Sequence, residues 1–365
     1  MKLPKGFLVS GIHCGIKRKN LDLGLIYSRD YFQAAGAFTA NANPSYSVVL
    51  SKKNLSKPVK AVLVNSGNAN CYSPVQGLKD TEKVISVLAG YLGAKKENIL
   101  IASTGIIGKK LPKDKIIKHF PQLIENLGTD IKYFSRCIMT TDTFEKISYA
   151  AIGSSRQKAS IIGFAKGAGM ICPNMATMLA FILTDASVPG DILRKVTREA
   201  VEESFNAISI DGCMSTNDTV FVLASKKIPL TKSGQIKAFS QKLKKVCLDL
   251  AKMIVRDAEG ATKFVEIKVT GAKSVQEAKR AGLSIANSSL FKSAIYGANA
   301  NRGRIIAALG QAGIKLDEAK YNISMSDLKK KDIKIKVDLK HGKASQTIYT
   351  SDLTPEYIKI NADYS

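Results

Sequence analysis

Apolar residues follow two periods along this chain. Residues 59–65 (VKAVLVN) and 98–104 (NILIAST) are short, densely apolar and predict buried strands. Each runs into a loop of small residues, SGNAN and GIIG. Residues 79–93 carry apolar positions at helical spacing and predict a helix, as do residues 112–126 with Pro112 at the first turn. The continuous run MLAFILT at 178–184 predicts a strand buried on both faces. PGD at 189–191 supplies a turn and an N-cap for a helix carrying Ile192, Leu193, Val196, Ala200 and Val201. A second long helix fits 236–256. In 331–340 (KDIKIKVDLK) Ile333, Ile335, Val337 and Leu339 alternate with polar residues, so one face of that strand is wet, and HGK at 341–343 is expected to begin its hairpin turn. A seam lies near 265–275, where the strand VEIKVTG gives way to SVQEAKRAG. The mixture predicts α/β layers with mainly antiparallel sheet.

Composition narrows the class. The chain has 365 residues, 45% hydrophobic and 23% charged, which fits a globular protein of two or three domains or one large one. No apolar run reaches the length of a membrane span, and the start does not read as a secretory signal. A cytoplasmic setting is expected, with no membrane partner. Six cysteines (Cys14, Cys71, Cys137, Cys172, Cys213 and Cys247) form no C-x-x-C pair and are expected to be reduced. Only three histidines occur, His13, His119 and His341, and they do not cluster. A zinc site and a Ser-His-Asp triad are both disfavoured, so an enzyme of this sequence needs another general base. The net charge of +25 admits nucleic acid, anionic substrates or a solvated lysine-rich surface. The basic residues are spread out and no nucleic-acid motif accompanies them, which favours the surface reading. KGAGMI (166–171) and GIIGKK (105–110) lack the spacing of phosphate loops, and G-x-S-x-G is absent.

The stretch that carries chemistry is 163–186, GFAKGAGMICPNMATMLAFILTDA. Thr177 stands at the mouth of the buried strand, directly after Ala176 and a glycine-rich loop. A hydroxyl, a small preceding residue and a deformable backbone are what an N-to-O acyl shift needs. Cleavage between Ala176 and Thr177 would free an α-amine of ordinary pKa about 7.7–8.0, able to act as the missing base. A threonine that opens a strand is more often structural, and on spacing alone both readings stand.

A resemblance separates them. AAGAFTAN (34–41), VNSGNAN (64–70), STGIIG (103–108), MTTDT (139–143), KGAGMICPNMATMLAF (166–181), DGCMSTNDT (211–219) and NRGRIIAALG (301–310) occur in order along the chain. Together they resemble the ornithine acetyltransferase family, the glutamate N-acetyltransferases of arginine biosynthesis, from PKGF (4–7) to INAD (360–363). The resemblance implies a layered αββα sandwich like that of N-terminal nucleophile hydrolases, with a smaller C-terminal α/β domain. The expected division is 1–265 and 266–365, with self-cleavage into chains 1–176 and 177–365. It implies Thr177 as nucleophile and Thr104 and Gly105 as the oxyanion hole. Thr140, Lys166, Thr177, Glu259 and Asn361 match substrate-contacting positions; Ser365 is a weaker substrate-contacting candidate, because relatives often carry one more residue. By charge, Lys166 suits a carboxylate and Glu259 an ammonium group. Asn65, Asn68, Asn70, Asn217 and Asp218 are candidates for ordering the loops around the site, or for simple turns.

The implied reaction is ping-pong acetyl transfer from N2-acetylornithine to glutamate through an acetyl-threonine, without cofactor, metal or nucleic acid. Acetyl-CoA stays open as a second donor. The implied assembly is a heterotetramer of two two-chain protomers. The chain departs from the family pattern at Cys71, Ser73–Pro74, Glu145, Cys213, Asn299 and Arg302. A related self-cleaving amidase or aminopeptidase, and a degenerate basic binding protein, are the competing readings.

Overall fold

A computed structural model describes residues 1–73, 76–153, 158–172 and 178–363. The chain opens with β1 (Leu8–Ile12), β2 (Leu23–Phe38), α1 (Tyr46–Asn54), β3 (Val59–Asn68), α2 (Gly77–Tyr91) and β4 (Ile99–Ile106). Three short helices follow, α3 (Lys113–Lys118), α4 (Phe120–Glu125) and α5 (Ile131–Cys137), then β5 (Lys146–Ile152) and β6 (Ala159–Lys166). Next come β7 (Leu179–Ser187), α6 (Gly190–Glu202), β8 (Thr219–Pro229) and α7 (Ser233–Arg256). The last part is β9 (Phe264–Ala272), α8 (Val275–Asn287), α9 (Ser289–Tyr296), α10 (Arg302–Gln311), β10 (Asn322–Met325), β11 (Asp332–Asp338), β12 (Ala344–Ser351) and α11 (Pro355–Ala362).

β2 organises the first part. Its residues Leu23–Tyr27 pair with β3, and Gln33–Phe38 pair with β8, so one strand belongs to two sheet halves. The strand order is β4-β3-β2-β8-β7-β6-β5, with β1 on β2. The two halves face each other. Val62 and Val64 of β3 and Leu100 of β4 point into the same cluster as Phe164, Phe181 and Phe221 from the other half. The alternate residues Ala61 and Leu63 point the other way, onto Val84, Ile85 and Leu88 of α2 and onto Ile116 and Phe120. The second half is covered by Leu193 and Val196 of α6 and by Leu243, Val246 and Leu250 of α7. The result is the four-layer αββα sandwich. Each fully buried Leu or Phe in these layers stabilises it by about 1.5–3 kcal/mol. β7 lies between β6 and β8, and all its residues but the last are buried, as its unbroken apolar run requires.

The second sheet has the order β10-β11-β9-β12. α8, α9 and α10 pack on it through Ala281, Ile285, Phe291 and Leu309, against Ile267, Val269, Ile335 and Ile348. Gly282 allows this approach, because a Cβ there would lie 2.6 Å from Ile348 Cγ1. β11 shows the expected alternation, with Ile333, Ile335 and Val337 buried. Antiparallel pairs predominate over the whole fold, seven to three among the described strands.

Two sequence expectations need correction. HGK does not make a hairpin: β9 lies between β11 and β12, and the N–H groups of His341 and Gly342 both donate to Gly271 O on β9. The turn carries the chain across the end of a strand instead of back along its neighbour. Residues 112–126 do not form one helix. They break at His119, because Pro121 has no N–H and suits only the first turn of a new helix, α4. PGD does supply the N-cap of α6, at Pro189, and Asp191 sits in the first turn, where its charge complements the positive helix end.

Candidate active site

The carboxyl-terminal ends of β4 and β6, the 139–145 loop, the turn after α7 and the end of α11 meet at one cleft of about 90 Å³. Its lining includes Thr104, Gly105, Thr140, Lys166, Glu259 and Asn361, six residues spread over more than 250 positions of sequence. Ala176, Thr177 and Ser365 lie outside the described residues. The structure therefore brings together every expected site residue it describes.

β4 ends in an irregular contact with β3. Gly105 has φ +134°, and a Cβ there would lie 2.3 Å from Gly67 C and 2.5 Å from Asn68 N, so only glycine fits. The facing loop is tied by amides. Asn65 accepts from Ser103 Oγ at 2.6 Å and donates to Asn68 O at 2.8 Å. Asn68 Nδ2 donates to Lys109 O and Lys110 O, and its side-chain Oδ1 accepts from Asn70 N. Asn70 takes the left-handed conformation and bonds Thr81. Asn217 Nδ2 reaches both Ala69 O at 2.6 Å and Ser103 O at 2.8 Å, joining two strand ends. These buried asparagines order the loops behind the cleft. Asn217→Ala leaves two buried carbonyls without a donor, and urea denaturation is expected to show a loss of about 1–3 kcal/mol.

The Thr140 loop is held by a buried ionic cluster. Thr140 N donates to Asp142 Oδ2 at 2.9 Å. Asp142 Oδ1 accepts from Lys146 Nζ and from Gly167 N, both at 2.7 Å. Lys146 Nζ also bonds Asp257, whose carboxylate accepts from Thr143 N at 3.0 Å. The three charged side chains are almost wholly shielded from solvent. Burial alone would raise the Asp142 carboxyl, but Lys166, Lys146 and the Thr140 N–H bring it down to about 2. Lys166 is buried at the end of β6, with only its cleft-facing tip on the lining. Burial lowers its pKa, while Asp142, Glu259 and Asp218 pull the other way.

Glu259 is fixed from three sides. Its N–H donates to Ala168 O at 2.9 Å, and Asn361 Nδ2 donates to its Oε2 at 2.9 Å. Gly169 leaves it room, since a Cβ there would lie 2.2 Å from Glu259 Oε2. α11 delivers Asn361. Its N-cap Thr354 accepts from Tyr357 N and donates to Gly260 O, so the helix start is bonded to the Glu259 turn. Tyr357 OH donates to Asp211, which also accepts from Met170 N, Ile171 N and Cys213 N. Asp211 thus holds the glycine-rich loop immediately before the residues that precede Thr177. On the far side, Met178 N donates to Asp218 Oδ1 at 3.0 Å. Asp218 is fully buried, its Oδ2 has no hydrogen-bond partner among the described residues, and burial raises its pKa well above the usual carboxylate range.

Sequence reasoning missed Asp142, Lys146, Asp257, Asp211 and Tyr357 as organisers of the site. MTTDT and DGC stood out as motifs, but a charge in a motif does not announce that it is buried and paired. Pro74 lies outside the described residues, and none of the described departures from the family pattern lines the cleft. Glu145 accepts from Ser135 and Arg136 of α5, while Asn299 and Arg302 lie at the start of α10. Cys213 is exposed and does not line the cleft. No helix among the described residues is long and apolar enough to cross a membrane.

Comparison with known proteins agrees with the residue pattern. A Geobacter sulfurreducens protein, the arginine biosynthesis bifunctional protein ArgJ, is 41% identical over 388 aligned positions, covering 99% of each chain. The glutamate N-acetyltransferase of Methanopyrus kandleri is 39% identical over the full length of both. A crystal structure of the Bacillus halodurans ArgJ protein is 38% identical over 50% of this chain and 98% of that one, with a TM-score of 0.48. The ArgJ family profile matches residues 8–365, and the chain belongs to the ArgJ family.

Proposed function

We propose that this ArgJ-family acetyltransferase of arginine biosynthesis moves acetyl from N2-acetylornithine to glutamate, through an acetyl ester on Thr177. What carries the reading is the single cleft lined by Thr104, Gly105, Thr140, Lys166, Glu259 and Asn361. It offers one buried cation and one carboxylate, the pair an amino-acid substrate needs.

The chain first cuts itself between Ala176 and Thr177. Thr177 Oγ then attacks the acetyl carbon, and its proton passes to the Thr177 α-amine. The oxyanion forms at Thr104 and Gly105, on a strand end that glycine packing holds rigid. Collapse breaks the amide, and the ornithine amine leaves with the proton. The glutamate amine attacks the ester in turn and gives up a proton, which passes through the Thr177 α-amine to Thr177 Oγ as the ester C–O bond breaks, and N-acetylglutamate departs. One amide replaces another, so no cofactor is needed. Holding the incoming amine in line favours it over water. Lys166 takes a carboxylate and Glu259 an ammonium. The working assembly is two copies of the two-chain protomer.

Intact mass of the denatured protein tests the cut. Two fragments, residues 1–176 and 177–365, are expected from the native chain and a single 39.4 kDa chain from Thr177→Ala. The native protein should convert N2-acetylornithine and glutamate to ornithine and N-acetylglutamate, and the variant should lose at least about 10³-fold in rate. An uncut native chain, or hydrolysis independent of glutamate, would reject the transferase reading.

A further inference from the structure

β2 leaves one edge bare over its second half. Its pairing with β3 ends at Phe32, whereas Gln33–Phe38 pair on the opposite side with β8. Thr39 N donates to Asp218 O at 3.0 Å, directly beyond that ladder. Antiparallel positions alternate between bonded and unbonded pairs, so residues 33, 35 and 37 face β8. The N–H and C=O groups of Ala34, Gly36 and Phe38 then face away from it. Among the described residues no other element bonds to them. A glycine and alanines (Ala34, Ala35, Gly36, Ala37) leave this edge open to close approach.

The edge forms the floor of a groove of about 1240 Å³. Arg194, Lys195 and Arg198 stand along the α6 wall, Lys52 and Lys57 at the end of α1, and Lys226 on β8. Asp191 is the one carboxylate in the lining. None of the six cations forms an ion pair among the described residues. No lining residue is shared with the catalytic cleft.

We propose that this groove binds an extended, acidic polypeptide segment, which adds to β2 as a further strand. Alternating main-chain donors and acceptors match another extended main chain, and the rim matches its acidic side chains. A polyphosphate or nucleic acid would satisfy the rim but would set its oxygens against the carbonyls of the edge. A second copy of this chain would bring the same cations face to face, on a molecule of net charge +25.

The test uses fluorescence anisotropy with a labelled short peptide of alternating Glu and Thr, at about 0.1 M salt so that only close charges act. A second peptide of equal charge is N-methylated along one edge and cannot donate main-chain hydrogen bonds from it. The first peptide is expected to bind and the second to bind about tenfold or more weakly. Arg194→Glu/Arg198→Glu should weaken the first by at least about tenfold, with acetyl transfer and the melting temperature unchanged. If that double variant is unstable, Lys57→Glu provides the same comparison from the other wall. Equal binding of both peptides would mean charge alone and would overturn the proposal. So would no binding, or sedimentation showing self-association that the charge reversals abolish, which would give the edge to a second copy.

Discussion

Asp142→Asn is expected to cost about 3–5 kcal/mol of stability in urea denaturation and most of the acetyl-transfer activity. The substitution keeps the shape but removes the charge that Lys146 Nζ meets at 2.7 Å, in a place where neither group sees solvent. Lys146 would keep only Asp257, and Lys166 would lose the strongest of the attractions that oppose the burial of its amine. Three anchors of the cleft loosen together, because the same carboxylate holds Thr140 N and Gly167 N. The pH dependence follows in sign. Asp142 is held at about 2, below the ordinary aspartate value near 3.9, so its contribution is complete above about pH 4 and is lost as pH falls through 2. The variant should therefore lose less stability than the native chain over that acid range. A double-mutant cycle with Lys146→Met measures the coupling; additive losses would mean that the pair does not hold the loop.

Gly105→Ala should lower kcat for acetyl transfer by about 10²–10³-fold, with a smaller change in KM. The added methyl has nowhere to go: backbone atoms of Gly67 and Asn68 lie 2.3 and 2.5 Å from it. One strand end must move. Asn65 and Asn68 pin the β3 end by their side-chain bonds, so the displacement falls on Thr104 and Gly105. The φ of +134° adds strain of about 1–3 kcal/mol for any residue with a Cβ. Steady-state kinetics beside a thermal melt separates the two effects. A folded variant with kcat within about threefold of native would remove this strand end from the oxyanion role.

Much of this is legible in the sequence. The unbroken apolar run at 178–184 marked β7, and strict alternation marked β11, because burial on two faces and on one leaves different periods. The cleft residues came from the family resemblance; the small-residue runs SGNAN and GIIG marked only loops after strands, although glycine is required where the backbones nearly touch at Gly105. What stayed hidden depends on partners distant in sequence. β2 received no sequence reading: it carries Ser28, Arg29, Asp30 and Tyr31 midway, where the strand passes from one sheet half to the other. The order of β11, β9 and β12 is set by a crossover that a local turn signal cannot encode. Lys146, Asp142 and Asp257 read as surface charges because nothing local reports that they face each other.

The position of β7 has a consequence for how the molecule is made. β7 pairs with β6, which precedes the proposed cut, and with β8, which follows it. Met178 is the last described residue before that strand, and it is already buried. Under the proposed cut before Thr177, a sheet that formed within one chain is shared by two. Before the cut, refolding is a first-order event independent of concentration. Afterwards it requires two polypeptides to find each other, and dilution slows it. The precursor is then the only form that can assemble efficiently from a dilute solution, and the cut makes permanent an order of events in which folding precedes chemistry.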